Sequence, residues 1–108
     1  MIQSYREFWP FYLREHAKQG NRVLHYLGYV GAGLCLLGAV AWSQWWLVPT
    51  AVLAGYGSCW IGHFVVEGNK PATLGHPLWS IRSYGRMTLF ALSGRLRPEL
   101  ERAQRKAS

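Results

Sequence analysis

The sequence predicts an all-α integral membrane protein: a two-span helical hairpin with an N-terminal amphipathic helix and a C-terminal interfacial helix, in one domain over 1–108. Three observations carry this reading. All twelve Lys and Arg and all five acidic residues lie in 1–22 or 67–108, and none lies between Arg22 and Glu67. A hydrocarbon core of about 30 Å takes about 20 residues of apolar helix, so this interval is long enough for two spans and too long for one. The chain is also rich in aromatics, with six Trp, six Tyr and four Phe, and Trp45-Trp46 fall mid-interval, where an aromatic belt at a membrane interface belongs. The uncharged interval carries small residues at close spacing, as membrane helices that pack tightly do.

Residues 3–18 read as an amphipathic helix, with Phe8, Phe11, Tyr12 and Leu13 apolar and Arg6, Glu7, Arg14, Glu15 and Lys18 charged. Pro10 interrupts or kinks it, and the segment suits the interface plane. Gly20-Asn21 reads as a break, with Asn21 as N-cap of the next helix. The first span is expected over 23–42, with Gly28, Gly31, Gly33 and Gly38 as packing glycines. Ser43-Gln44 forms the turn, and the second span runs over 46–66 with Pro49 in its first turn. Residues 68–76 are a loop by composition. Pro77 opens a third helix over 77–93, interfacial or spanning, that ends near Gly94. A last soluble helix is expected over 98–106, acidic early and basic late, as the helix dipole favours.

The formal charge of +7 suits membrane topology better than nucleic acid. A nucleic-acid binder rarely carries a long uncharged centre, whereas basic residues flanking apolar spans follow the positive-inside tendency. Both termini are expected in the cytoplasm. The localisation expected is a multi-pass membrane protein, of the inner membrane in a bacterium or the endoplasmic reticulum in a eukaryote. Cys35 and Cys59 suit packing rather than a disulfide framework. The first apolar run follows a charged amphipathic segment, so no cleavable signal peptide is expected. A thin core leaves room for a homo-oligomer.

The four histidines are the chemical signal. His25 opens the first span and His63 closes the second, so an antiparallel hairpin sets them at one membrane face. His16 lies just upstream and His76 just downstream of that face. Glu67, four residues after His63, shares its helix face, and imidazole with carboxylate makes a metal-binding set or a ligand with its orienting partner. Taken singly, each histidine reads as a polar interfacial residue before it reads as a ligand, and only the four on one face with Glu67 favour a metal; His76 reads also as a cap for the following helix and Glu67 as a partner of Lys70 or Arg82. Arg82 and Arg86, four apart, suit a carboxylate or phosphate headgroup or a solvated basic face. Asn69 stands in a polar loop beside His63. The chain has no Asp, and nothing suggests Ser-His-Asp hydrolysis.

Two motifs are similar to those of a known membrane family. Phe8-Trp9-Pro10-Phe11-Tyr12-Leu13-Arg14-Glu15-His16 followed by Asn21-Arg22-Val23-Leu24-His25 is the first. Gly62-His63-Phe64-Val65-Val66-Glu67-Gly68-Asn69-Lys70-Pro71-Ala72-Thr73, continued by Pro77-Leu78-Trp79-Ser80, is the second. Over roughly 5–95 the chain resembles the fungal endoplasmic-reticulum 2-hydroxy fatty acid dioxygenase and its short bacterial relatives. The resemblance implies an Fe(II)-dependent dioxygenase that uses O2 to shorten a 2-hydroxy fatty acid by one carbon. It implies His16, His25 and His63 as iron ligands, with His76 as a fourth. Glu67 matches a family position and is expected to serve catalysis by supporting a ligand. Arg82, Arg86 and Asn69 are expected to meet the substrate's polar end. The competing reading is a non-catalytic metal-, haem- or lipid-binding membrane module.

Overall fold

The computed structural model describes residues 2–71 and 74–107, which are helical with no strand among them. Ala72 and Thr73 of the expected loop lie outside the described residues. The helices are α1 (Tyr5–Arg14), α2 (Gln19–Trp42), α3 (Leu47–Ile61), a π-helical segment (Gly62–Glu67), α4 (Pro77–Leu92) and α5 (Leu96–Ala107).

Ser4 caps α1 by accepting the Glu7 N–H, and the Glu7 carboxylate accepts the Gln3 N–H in return, a reciprocal closure of free backbone donors. The helix continues through Pro10 but stops at Arg14, four residues before the sequence expectation. The Glu15 N–H turns back to Phe11 and Leu13 carbonyls and the chain bends at His16. Helix α2 starts earlier than expected, at Gln19, so Gly20 and Asn21 lie inside it. Tertiary partners hold this start. Glu67 accepts the Lys18 N–H at 2.6 Å, and the Arg22 guanidinium donates to the carbonyls of His16 and Ala17.

Helices α2 and α3 form an antiparallel hairpin that turns at Ser43, whose φ of 52° is left-handed. Gly28 makes the closest approach. A Cβ there would lie 2.9 Å from Ser58 Cβ and 3.0 Å from the Ala54 carbonyl oxygen. Gly55 faces Ala32, and Gly38 faces Leu47. Gly31 and Gly33, expected to pack, meet nothing within 4 Å, because they lie on the outer face of α2. Helix α2 is long and apolar enough to cross a membrane by length and composition. The hairpin's outer surface is apolar, with Leu34, Leu37, Val40 and Leu53 more than 60 % exposed.

At the other end α1, α4 and α5 enclose an aromatic core of Phe8, Trp9, Tyr12, Leu13 and Met87, closed by Leu96 and Ala103. The last helix, expected as a soluble tail, packs on α1. Trp9 Nε1 donates to Glu99 at 2.9 Å, and Arg14 donates to the Ala103 carbonyl at 3.2 Å. It also begins two residues before the expected Pro98, which then falls in the first turn, where proline is tolerated. Gly94, with φ of 73°, provides the stop after α4, and the Arg95 N–H returns to the Phe90 carbonyl as in a left-handed helix terminus. Helix α4 reaches the hairpin through Tyr84, whose hydroxyl donates to the His25 carbonyl at 2.5 Å.

Candidate metal centre

Three of the four histidines meet where the aromatic core joins the hairpin. His16, His25 and His63 are each at most 2 % exposed, and one ring nitrogen from each lies within 4.8 Å of the other two. Each arrives by a different local device. His16 sits in the short connection after α1. Its own N–H is spent on the Leu13 carbonyl at 3.1 Å, so the Tyr12 carbonyl at the helix end is left for the ring, and Nδ1 meets it at 2.6 Å. His25 lies in the second turn of α2 with Nδ1 2.9 Å from the Asn21 carbonyl. His63 stands in the π-helical turn, a wide turn often found at functional sites. A Cβ on neighbouring Gly62 would collide with Asn21 Oδ1, so only glycine lets α2 and this turn close together.

These contacts settle the tautomers. A carbonyl oxygen only accepts, so His16 and His25 both carry the proton on Nδ1. The His63 Nδ1 lies 2.7 Å from Asn69 Oδ1, and Asn69 Nδ2 is committed to the Glu15 carbonyl at 3.0 Å. That commitment fixes the amide's orientation and makes His63 a donor at Nδ1 too. All three Nε2 atoms therefore hold lone pairs. The Nε2 atoms of His16 and His25 face each other at 2.9 Å. Two lone pairs at that distance repel unless a positive charge sits with them. Protonation is opposed at His16, because burial, with the His25 and His63 rings beside it, holds its pKa well below the usual imidazole range. A metal cation satisfies the same geometry, with each ring turned by a hydrogen bond at its other nitrogen, the usual support of metal-ligating histidines. The donor set fits iron or another imidazole-binding transition metal.

The cavity at this cluster is about 20 Å³ and is also lined by Tyr12, Cys59, Ser80 and Tyr84. That volume suits an ion or a water molecule. Ser80 is 3 % exposed and its hydroxyl has no hydrogen-bond partner among the described residues.

The remaining expected site residues lie elsewhere. The His76 ring stacks on Trp79 with centroids 5.3 Å apart and meets Phe8 edge-on at 5.2 Å. It is held by the aromatic core, not by the histidine cluster. Glu67 turns away to hold the Lys18 N–H. Arg82 and Arg86 lie over the Tyr5 and Trp9 rings at 4.0 and 4.3 Å, so their charges face α1. Asn69 does reach the site, as the partner that orients His63. Ser80, Tyr84 and Tyr12 line the cavity, and sequence reasoning did not assign them there; the four-residue step from Tyr12 to His16 was the available hint.

A family model described as 2-hydroxy-palmitic acid dioxygenase Mpo1-like matches residues 2–96. Neither a curated protein nor a solved structure matches the chain.

Proposed function

The chain belongs to the 2-hydroxy-palmitic acid dioxygenase Mpo1-like family, and from that premise we propose that it is a membrane-embedded, Fe(II)-dependent dioxygenase that shortens 2-hydroxy fatty acids. The observation that carries the reading is the convergence on one cavity of three buried histidines, each with its Nδ1 at a hydrogen-bond acceptor. His16, His25 and His63 would hold the metal through Nε2. Iron bound by a few protein ligands with open positions supplies the activation of O2 and a binding place for substrate oxygens.

The chain's own residues do the rest. The carbonyls of Tyr12 and Asn21 and the amide of Asn69 fix the three rings, so that the lone pairs are aimed before any ligand arrives. Burial keeps His16 neutral and therefore able to donate electrons. Tyr12, Cys59 and Tyr84 wall the cavity and narrow it to the size of an ion or a water. Glu67 acts at one remove, by tying the end of the π-helical turn to the start of α2 through Lys18. The same cavity is too small for a haem, which disfavours the haem-module alternative.

We read α2 and the continuous run from α3 through the π-helical turn as two membrane spans. The length and apolarity of α2 support the first span, and the exposed aliphatic residues along the hairpin are those a lipid surface would cover. Trp42, Trp45 and Trp46, all more than 60 % exposed at the turn, suit one interface. The histidine cavity then lies at the opposite, basic interface, where a fatty acid presents its carboxylate end.

The test is turnover by purified protein loaded with Fe(II) and supplied with 2-hydroxypalmitate and O2. The expected product is the fatty-acyl chain one carbon shorter, formed only with O2 and lost in His63→Ala. Equal product from wild type and His63→Ala, or none from an iron-loaded wild type, overturns the reading.

A further inference from the structure

We propose that the apolar groove between α2 and α3 is the seat of the substrate's acyl chain, and that Ala32 and Val52 set the chain length it accepts. This inference rests on the fatty-acid reading above and adds where the tail lies. The groove has a volume of about 330 Å³ and is walled by Ala32 and Leu36 of α2 and Val48, Val52 and Gly55 of α3. Those residues present hydrocarbon alone. The groove lies next to the histidine cavity, and Tyr56, Ile81 and Tyr84 form part of the wall of both.

Two further observations point to an amphiphile rather than to a purely apolar guest. First, polarity is graded along the path. One end holds the Nε2 lone pairs of three histidines and the Ser80 hydroxyl, which is buried and without a partner among the described residues. The other end is aliphatic. A buried hydroxyl without a partner is costly, and one oxygen of the substrate's head, the size of a water and so within the room the cavity offers, would satisfy it. Second, the length fits. From His25 to Leu36 is three turns of α2, roughly 16 Å. That is about half of a 30 Å hydrocarbon core, the depth one acyl chain occupies in its own leaflet. A 2-hydroxy fatty acid could thus keep its tail at its natural depth while its head reaches the histidines.

Small residues make the groove. Ala32 lies over Gly55, where an added Cβ would rest 3.6 Å from the Ala32 Cβ. Bulk at Ala32 therefore fills the groove about two helical turns from His25, and bulk at Val52 narrows it from α3. Leu37 is 68 % exposed and lies outside the groove, so bulk there touches only surrounding lipid or detergent.

The experiment measures equilibrium binding of short-, medium- and long-chain saturated 2-hydroxy fatty acids to the full chain in lipid nanodiscs. Wild type, Ala32→Leu, Val52→Phe and Leu37→Phe are compared, with bound metal measured in each and turnover assayed in parallel. Wild type and Leu37→Phe are expected to favour the long chain. Ala32→Leu and Val52→Phe are expected to lose roughly 10-fold or more of long-chain affinity, keep the short acid within about 2-fold, and keep their metal. The same chain-length preference in all four proteins overturns the groove, as does equal loss of short and long acids by metal-replete groove variants. Binding that follows the expected pattern without any oxygen-dependent turnover leaves the groove standing and removes the dioxygenase reading. Turnover with an unchanged chain-length profile removes the groove alone.

Discussion

At His63 a single amide orients the ring. Asn69 holds Nδ1 at 2.7 Å while its own Nδ2 is tied to the Glu15 carbonyl. Removing it frees the ring to rotate and to change tautomer. Asn69→Ala is expected to lower metal affinity roughly 10- to 100-fold, measured by competitive titration against a chelator, with the helical content kept. Unchanged affinity would mean that the ring is oriented by packing alone. The four histidines were legible in the sequence because their number is small and the hairpin argument sets them at one face. The family resemblance set His76 apart as a fourth, but the residues themselves gave no physical reason to separate it from the other three. Three join through backbone carbonyls and one amide, whereas His76 is captured by Trp79 and Phe8. That choice depends on the path of the loop before α4, which no periodicity describes. Ser80 was invisible for the same reason, since its burial at the cavity is a tertiary fact.

Between elements, close approach is set by particular glycines. Gly28→Ala would press a methyl to within 3.0 Å of the Ala54 carbonyl and the Tyr84 hydroxyl, and is expected to cost about 1–3 kcal/mol and to disturb the His25 carbonyl that Tyr84 holds. Gly31→Ala meets nothing and is expected to gain up to about 1 kcal/mol from helix propensity. Thermal unfolding of the two variants in one detergent separates them; equal effects would contradict the packing. The same contrast shows the limit of composition, which treats all five glycines of α2 alike. The junction of α1 and α5 also lay outside the sequence's reach, because Trp9 and Glu99 are joined by one hydrogen bond across most of the chain. The Trp9 indole N–H, with Arg102 beside it, holds the Glu99 carboxyl below the usual carboxylate range. Its stabilisation is present above the ordinary value of 4.5 and is lost as pH falls through the depressed one. Glu99→Gln is expected to flatten that acid limb of the stability curve, and a limb of unchanged steepness would place the titration elsewhere.

Across the whole molecule the charge pattern was the strongest message in the sequence. An uncharged interval bounded by Arg22 and Glu67 predicts two membrane spans; it folds as the α2–α3 hairpin with its aliphatic surface turned outward, in which α2 alone among the described helices is long and apolar enough to cross a membrane. Apolar periodicity could not show that the charged ends fold back as an aromatic core of α1, α4 and α5, nor that this core closes over the histidines. The hairpin as a pair of spans predicts that the protein stays with the membrane pellet after extraction with alkaline carbonate, and its release into the supernatant would contradict that reading.

Metal content of the purified protein tests the three-histidine centre most directly. After anaerobic loading with Fe(II) and removal of free metal, wild type and His76→Ala are expected to retain near-stoichiometric iron without haem absorbance. His16→Ala, His25→Ala and His63→Ala are expected to retain little. Iron absent from the wild type, or lost equally in His76→Ala, would contradict a centre built from His16, His25 and His63.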